Sequence, residues 1–299
     1  MNTRQVIEVG AKYLAALEGH SLDLLTVSKP KSLQAAVNLA KVVSKLSPIL
    51  GNLIEFDTVD YLNAKPEFDG LGHWKRQDPG FPDAIFEGKV KPVPGFEIKA
   101  WFPLATEITA RFKDSQKHFE DDRTYVALLA WLPEHLIFGK PRVLDVCVVS
   151  GASVAKARDD HYHDPPDYVV VEPNDTSSRT SNLQQTNTNG YKFQGTDAEK
   201  KKAHEFVRSW GPAHHTYSAE SWYQRQIAEL MGRYSYRLDT NFAKIDRIEH
   251  TDIEKFKTQV LNTKVHGRSV KEWAKVLGSE DDRVIELALK ALNLDFSET

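Results

Sequence analysis

The chain has 299 residues, 40% of them hydrophobic and 27% charged, with a formal net charge of −3 when histidine is neutral. That length buries one large core, or a core with an appendage, and the slightly acidic balance argues against a nonspecific nucleic-acid binder covered in positive charge. One cysteine, Cys147, excludes an internal disulfide framework and fits a reducing compartment, and no apolar run reaches the length of a membrane span.

Val6, Ile7, Tyr13, Leu14 and Leu17 recur at helical spacing over residues 3–18, and Gly19 is a stop signal. Ser32 is the expected N-cap of a helix carrying Leu33, Ala36, Val37, Ala40, Val43 and Leu46; Pro48 interrupts it, and residues 49–56 resume the pattern. Residues 63–82, rich in Gly, Pro and Asp, read as a loop. Residues 81–86 and 95–101 then read as two short strands of a hairpin, bounded by Gly and Pro. Beyond them, 104–120 is expected to be helical with Ala105, Ile108, Phe112 and Phe119 inward. The runs 125–131, 142–149 and 168–171 are expected as strands, the first two as inner strands covered on both faces, with Cys147 a buried strand thiol. Residues 173–195 are mostly hydroxyls and amides and read as a polar loop. Residues 197–237 look helical around a break at Trp210-Gly211-Pro212, and 251–262 and 269–294 read as C-terminal helices divided at Gly278. The sum is an α/β fold: a central mixed β-sheet flanked by helices, with a helical C-terminal region. The expected division is a domain over 1–250, its core about 32–172 and its polar loop 173–195, followed by a helical subdomain over 251–299.

Alternation in the second hairpin strand puts Phe96, Ile98 and Ala100 on one face and Glu97, Lys99 and Trp101 on the other. Asp83 opens the preceding strand and comes close to Glu97 and Lys99 if the two runs pair. Glu-x-Lys recurs at Glu87–Lys89, but across Gly88 in the turn, and at Glu199–Lys201, on a charged helix face; Pro166-Asp167 has no Glu-x-Lys nearby. Only Glu97–Lys99 sits in an apolar strand with an acid-bearing strand before it. Asp83 and Glu97 are hard oxygen ligands suited to Mg²⁺, and Lys99 can orient water and stabilise negative charge. The alternative is an exposed strand ion pair contributing a fraction of a kcal/mol. Glu55 lies one helical turn after Gly51, on the same helix face, where the small residue leaves room for another backbone or a ligand.

Pro82-Asp83…Glu97-Ile98-Lys99 resembles the signature of the PD-(D/E)xK nuclease superfamily, and the order of elements over about 32–172 is similar to its restriction-endonuclease-like core. The helix carrying Gly51 and Glu55 resembles the accessory acidic element of many type II restriction endonucleases in that superfamily. The resemblance implies Mg²⁺-dependent, site-specific hydrolysis of phosphodiester bonds in double-stranded DNA, leaving 5′-phosphate and 3′-hydroxyl ends. It implies Glu55, Asp83, Glu97 and Lys99 as catalytic groups, with Asp83 and Glu97 holding the metal. A homodimer is expected, because two symmetric sites cut both strands of a two-fold sequence. The setting expected is a bacterial or archaeal cytoplasm, away from membranes.

On that reading Arg179, Asn182, Gln184, Gln185, Asn187 and Asn189 form a base-reading segment, since Asn and Gln match adenine and Arg matches guanine at base edges. Lys75, Arg76, Arg111 and Lys113 are candidate phosphate contacts. Without a nucleic-acid partner, the same residues are a solvated loop and surface charges. Two other classes compete. One is a non-catalytic DNA-binding regulator that uses the polar loop or the C-terminal helices as a helix-turn-helix. The other is a zinc hydrolase built on His161 and His163 with His214-His215.

Overall fold

The computed structural model describes residues 1–77, 80–104, 108, 116–119, 122–172, 189–241 and 248–292. Helix α1 (Thr3–Ala15) starts at a reciprocal cap in which the Asn2 side chain accepts the Gln5 N–H and the Gln5 side chain accepts the Asn2 N–H, both at 2.9 Å. Ser32 caps α2 (Leu33–Val42) by accepting the Ala35 N–H. A 3-10 turn over Val43–Leu46 leads into α3 (Ser47–Asn63). Pro48 stands in the first turn of α3, where its missing N–H is harmless, so it starts the helix that carries Glu55.

Five strands follow: β1 (Gly72–Arg76), β2 (Ala84–Gly88), β3 (Gly95–Trp101), β4 (Thr124–Pro133) and β5 (Pro141–Ser150), side by side in that order. β1/β2, β2/β3 and β4/β5 are antiparallel and β3/β4 is parallel, which makes the sheet mixed. The parallel step needs a crossover. Of the residues expected to form it as a helix, Ile108 and Phe119 are buried and Gln116–Phe119 is a 3-10 turn, while Ala105 and Phe112 lie outside the described residues. β1 falls inside the stretch expected as a loop. Its five residues carry one strand-forming aromatic, Trp74, between polar neighbours, too short a pattern to stand out from the surrounding Gly, Pro and Asp.

The sheet is covered on both faces, by α1, α2, α3, α8 (Val270–Leu277) and α9 (Asp282–Lys290) on one side. On the other lie α4 (Gly151–Tyr162) and α7 (Thr251–Asn262). β4 shows why its sequence is continuously apolar. Ala127, Leu129 and Trp131 enter the first core, and Val126, Leu128 and Ala130 enter the second. β5 is covered on both faces too, yet it is the last strand in the order, not an inner one. Cys147 on β5 is half-buried, and burial raises its thiol to about 12, which leaves it unreactive. Gly10 of α1 lies close against the sheet. A Cβ there would stand 2.8 Å from the Phe96 ring, which stacks on Trp74 with centroids 4.9 Å apart.

A second sheet of order β6-β7-β8, from β6 (Tyr168–Val171), β7 (Asn189–Phe193) and β8 (Tyr236–Asp239), is antiparallel throughout. It packs with α5 (Asp197–Arg208) and α6 (Ser221–Arg233) around Val169, Ala203, Val207, Tyr223, Ile227 and Leu230. This corrects three expectations. Residues 168–171 belong to this sheet and not to the central one; the polar loop expected over 173–195 gives way to β7 at Asn189; and 236–239 is a strand at the end of a stretch expected to be helical. Each of these strands is four or five residues long, and its partners lie far along the chain, beyond the reach of local periodicity. The helices after residue 250, expected as a subdomain, share the cores on the two faces of the central sheet. Among the described residues no helix is long and apolar enough to cross a membrane.

Candidate metal-dependent catalytic site

The β2/β3 pairing is confined to Ala84↔Phe96 and Ile85↔Gly95. Asp83 stands immediately before it, and its Oδ2 accepts the Ile98 N–H at 2.8 Å, serving β3 in place of a paired strand. Gly95 permits the approach: a Cβ there would lie 2.4 Å from Pro82 Cγ and 3.0 Å from the Ala84 carbonyl oxygen. On β3 the expected alternation holds. Phe96 and Ile98 enter the core under α1–α3, whereas Trp101, on the face of Glu97 and Lys99, packs against Phe256 of α7.

Lys99 Nζ lies 2.7 Å from Glu97 Oε1 and 3.0 Å from Asp83 Oδ2, so one ammonium bridges both carboxylates. The side chains are largely enclosed, with 8% of Glu97, 16% of Asp83 and 21% of Lys99 exposed. Burial works against the Lys99 charge, but Glu97 and Asp83 outweigh it and hold the ammonium protonated well above the ordinary lysine range. Lys99 is therefore held as an ammonium between the two carboxylates. Burial raises Glu97 to about 7, with Lys99 opposing the shift and Asp83 adding to it. The second oxygen, Glu97 Oε2, is buried and has no hydrogen-bond partner among the described residues.

Glu55 reaches this centre from α3, which packs on β1 and β3. Asn63, the last residue of α3, fixes that docking: its amide donates to the Trp74 carbonyl at 2.8 Å and accepts the Trp74 N–H at 2.7 Å. Burial raises the Glu55 carboxyl to about 7, assisted by the Asp83 charge and opposed by Lys99 and Arg76. At Gly51 an added Cβ would meet Ala100 Cβ at 3.8 Å, an ordinary contact, so the glycine is not required for α3 to approach β3.

Arg76 carries its guanidinium to Glu55 Oε2 at 3.3 Å, stacked over the Phe56 ring at 4.0 Å from its centroid. The expectation of Arg76 as a surface phosphate contact thus meets an enclosed pair, 13% and 16% exposed. Sequence reading missed this because β1 was missed with it. Lys75, on the opposite face of β1, is exposed and pairs with Glu87 at 2.8 Å. Asn189 is half-buried in β7, opposite Val171. Arg111, Lys113, Arg179, Asn182, Gln184, Gln185 and Asn187 lie outside the described residues.

Two carboxylates and a bridging ammonium suit a hard divalent cation such as Mg²⁺, which keeps several of its own waters and takes few protein ligands. The fit rests on Glu97 Oε2, a buried anionic donor without a partner among the described residues, beside Asp83 in a centre where like charges raise one another. Among the described residues no three His, Cys, Asp or Glu side chains are gathered into a ready cage. The histidines of the zinc reading are apart in environment. His161 is exposed on α4, whereas His163 is buried and bonded through Nε2 to the Tyr223 hydroxyl at 2.5 Å. That hydroxyl gives its one proton to the His214 carbonyl, so His163 Nε2 is the donor in their bond. Two clefts of about 510 and 370 Å³ are walled by Lys156 and Asp160 of α4 and include no residue of the acidic centre. Compared with protein-family models, with curated proteins and with solved structures, the chain matches none.

Proposed function

We propose that this chain is a Mg²⁺-dependent, site-specific endonuclease of double-stranded DNA, of the type II restriction class, built on a restriction-endonuclease-like core. The observation that carries the reading is the bridge from Lys99 Nζ to both Asp83 and Glu97 at the place where β2 and β3 part. Asp83 and Glu97 would hold the metal, which when bound supplies an activated water and neutralises phosphate charge. Lys99 keeps its proton, aligns the attacking water and faces the charge that builds on the phosphoryl oxygens. Glu55 adds a third carboxylate to the same field. Enclosure strengthens each of these interactions by excluding bulk water. The polar segment after β6 supports base reading by its chemistry, and a homodimer is proposed because duplex cleavage needs a site on each strand.

The test is incubation with phage DNA and Mg²⁺. Discrete fragments are expected, absent in chelator and reduced by at least about 10²-fold in Glu97→Gln and Lys99→Met. Sequencing the fragment ends then yields the site and the stagger. DNA left intact with every divalent metal tried sinks the proposal. A non-catalytic DNA-binding regulator would instead bind one site equally well in chelator and be indifferent to Lys99→Met.

A further inference from the structure

The acidic centre carries two resident cations, not one. Lys99 spans Asp83 and Glu97; Arg76 answers Glu55. Arg76 ends β1 opposite Ala84, and its side chain reaches Glu55 of α3. It is held there by the Glu55 carboxylate and the Phe56 ring, and the Asn63 clamp to Trp74 fixes α3 over the strand that bears it. A guanidinium does not lose its proton in a protein, so its charge leaves Glu55 only if the side chain moves. The guanidinium charge at Glu55 Oε2 repels a divalent cation brought to the same carboxylate, so the two compete for Glu55.

We propose that Arg76 occupies the position a second divalent cation would need at Glu55, so that the centre takes one divalent cation, on Asp83 and Glu97, while Arg76 stays in place. Arg76 is on this view a positioning residue that sets metal stoichiometry, and the inference rests on the metal-dependent reading above. Without the guanidinium, the Glu55 carboxylate loses its counter-charge, and a second divalent cation bound there would supply it.

Mn²⁺ titrated into the DNA-free protein, counted by loss of the free-ion paramagnetic signal, tests this without any cleavage. One Mn²⁺ per chain is expected for the wild type, two for Arg76→Met, and one again for Arg76→Met/Glu55→Gln. Glu55→Gln alone should keep a stoichiometry of one Mn²⁺ per chain. One Mn²⁺ of wild-type affinity in Arg76→Met overturns the proposal. Two Mn²⁺ in the wild type, or none in Glu55→Gln, also overturns it, and these arms decide the matter even if Arg76→Met does not fold. Asp83→Asn separates the two levels. It should remove the wild-type Mn²⁺, and binding unchanged by Asp83→Asn would sink the metal site itself, whatever Arg76 does.

Discussion

Two enclosed charge clusters differ in how completely they are closed. Around α4, Arg158 and Asp159 are fully buried and Glu172 nearly so. Arg158 meets Asp159 at 2.6 Å, Gln116 donates to the other Asp159 oxygen at 2.7 Å, and the Tyr217 hydroxyl donates to Glu172. Every carboxylate there has a fixed neutral or cationic donor. At the acidic centre three carboxylates share Lys99 and Arg76, one oxygen has no partner among the described residues, and the side chains keep a window to solvent. Burial of charge is common to both. What separates a structural network from a candidate site is the unspent acceptor capacity and the access to it.

Arg158→Met should show the largest effect, because it strands Asp159 and Glu172 in the interior and costs about 3–5 kcal/mol in urea unfolding. Lys99→Met should cost no more than about half of that. Glu97, already raised to about 7, takes up a proton and relieves the exposed repulsion. Equal losses from the two exchanges would erase the distinction.

Acid should separate the regions by sign. His163, which packs against Tyr217 of the closed network, is lowered to about 4 by burial. The unfolded chain binds that proton near 6.5 and the folded chain only near 4. The stability His163 contributes is therefore complete above 6.5 and falls by about 1.4 kcal/mol per pH unit on the way down to 4. Glu55 and Glu97, raised to about 7, act in the opposite sense, since the folded chain holds their protons more tightly. Urea titrations of wild type and His163→Gln at several pH values between 4 and 7 measure the His163 share as a difference, and parallel curves would refute it.

Gly95→Ala should cost about 1–3 kcal/mol, less than Arg158→Met, because Pro82 must shift to admit the methyl group. Its effect on the candidate site should be out of proportion to that cost. Displacing Pro82 carries Asp83 away from the Ile98 N–H and Lys99, so cleavage should fall by at least about tenfold at a temperature where the variant remains folded. Cleavage that tracks stability alone would show that Asp83 tolerates the shift.

The helices other than α4 (Gly151–Tyr162), for which no helix was expected, were readable from local pattern. Residues 3–18, 33–46, 251–262 and 269–294 announce apolar stripes and caps, and α1, α2, α7, α8 and α9 lie within them. β3 and β4 were readable because alternation and continuous apolarity state which faces are covered. β1, β7 and β8 were not. Each is a four- or five-residue strand whose identity depends on a partner elsewhere in the chain. The same limit hid the Arg158 network, in which Arg158, Glu172 and Tyr217 come from three separate parts of the chain.

The residue order alone established that Asp83, Glu97 and Lys99 belong together, since alternation along one strand and a short hairpin are local geometry. It also singled out Glu55 by its helical spacing from Gly51. The docking of α3 across β1 and β3 decided what Glu55 faces, and made its ion-pair partner Arg76, 21 residues away. Packing decided the charge states: Glu97 and Asp83 hold Lys99 protonated against its burial, while burial raises Glu55 and Glu97 toward neutrality. Local spacing can place a charge on a face, but its solvent and its partner are set by whichever elements pack against that face.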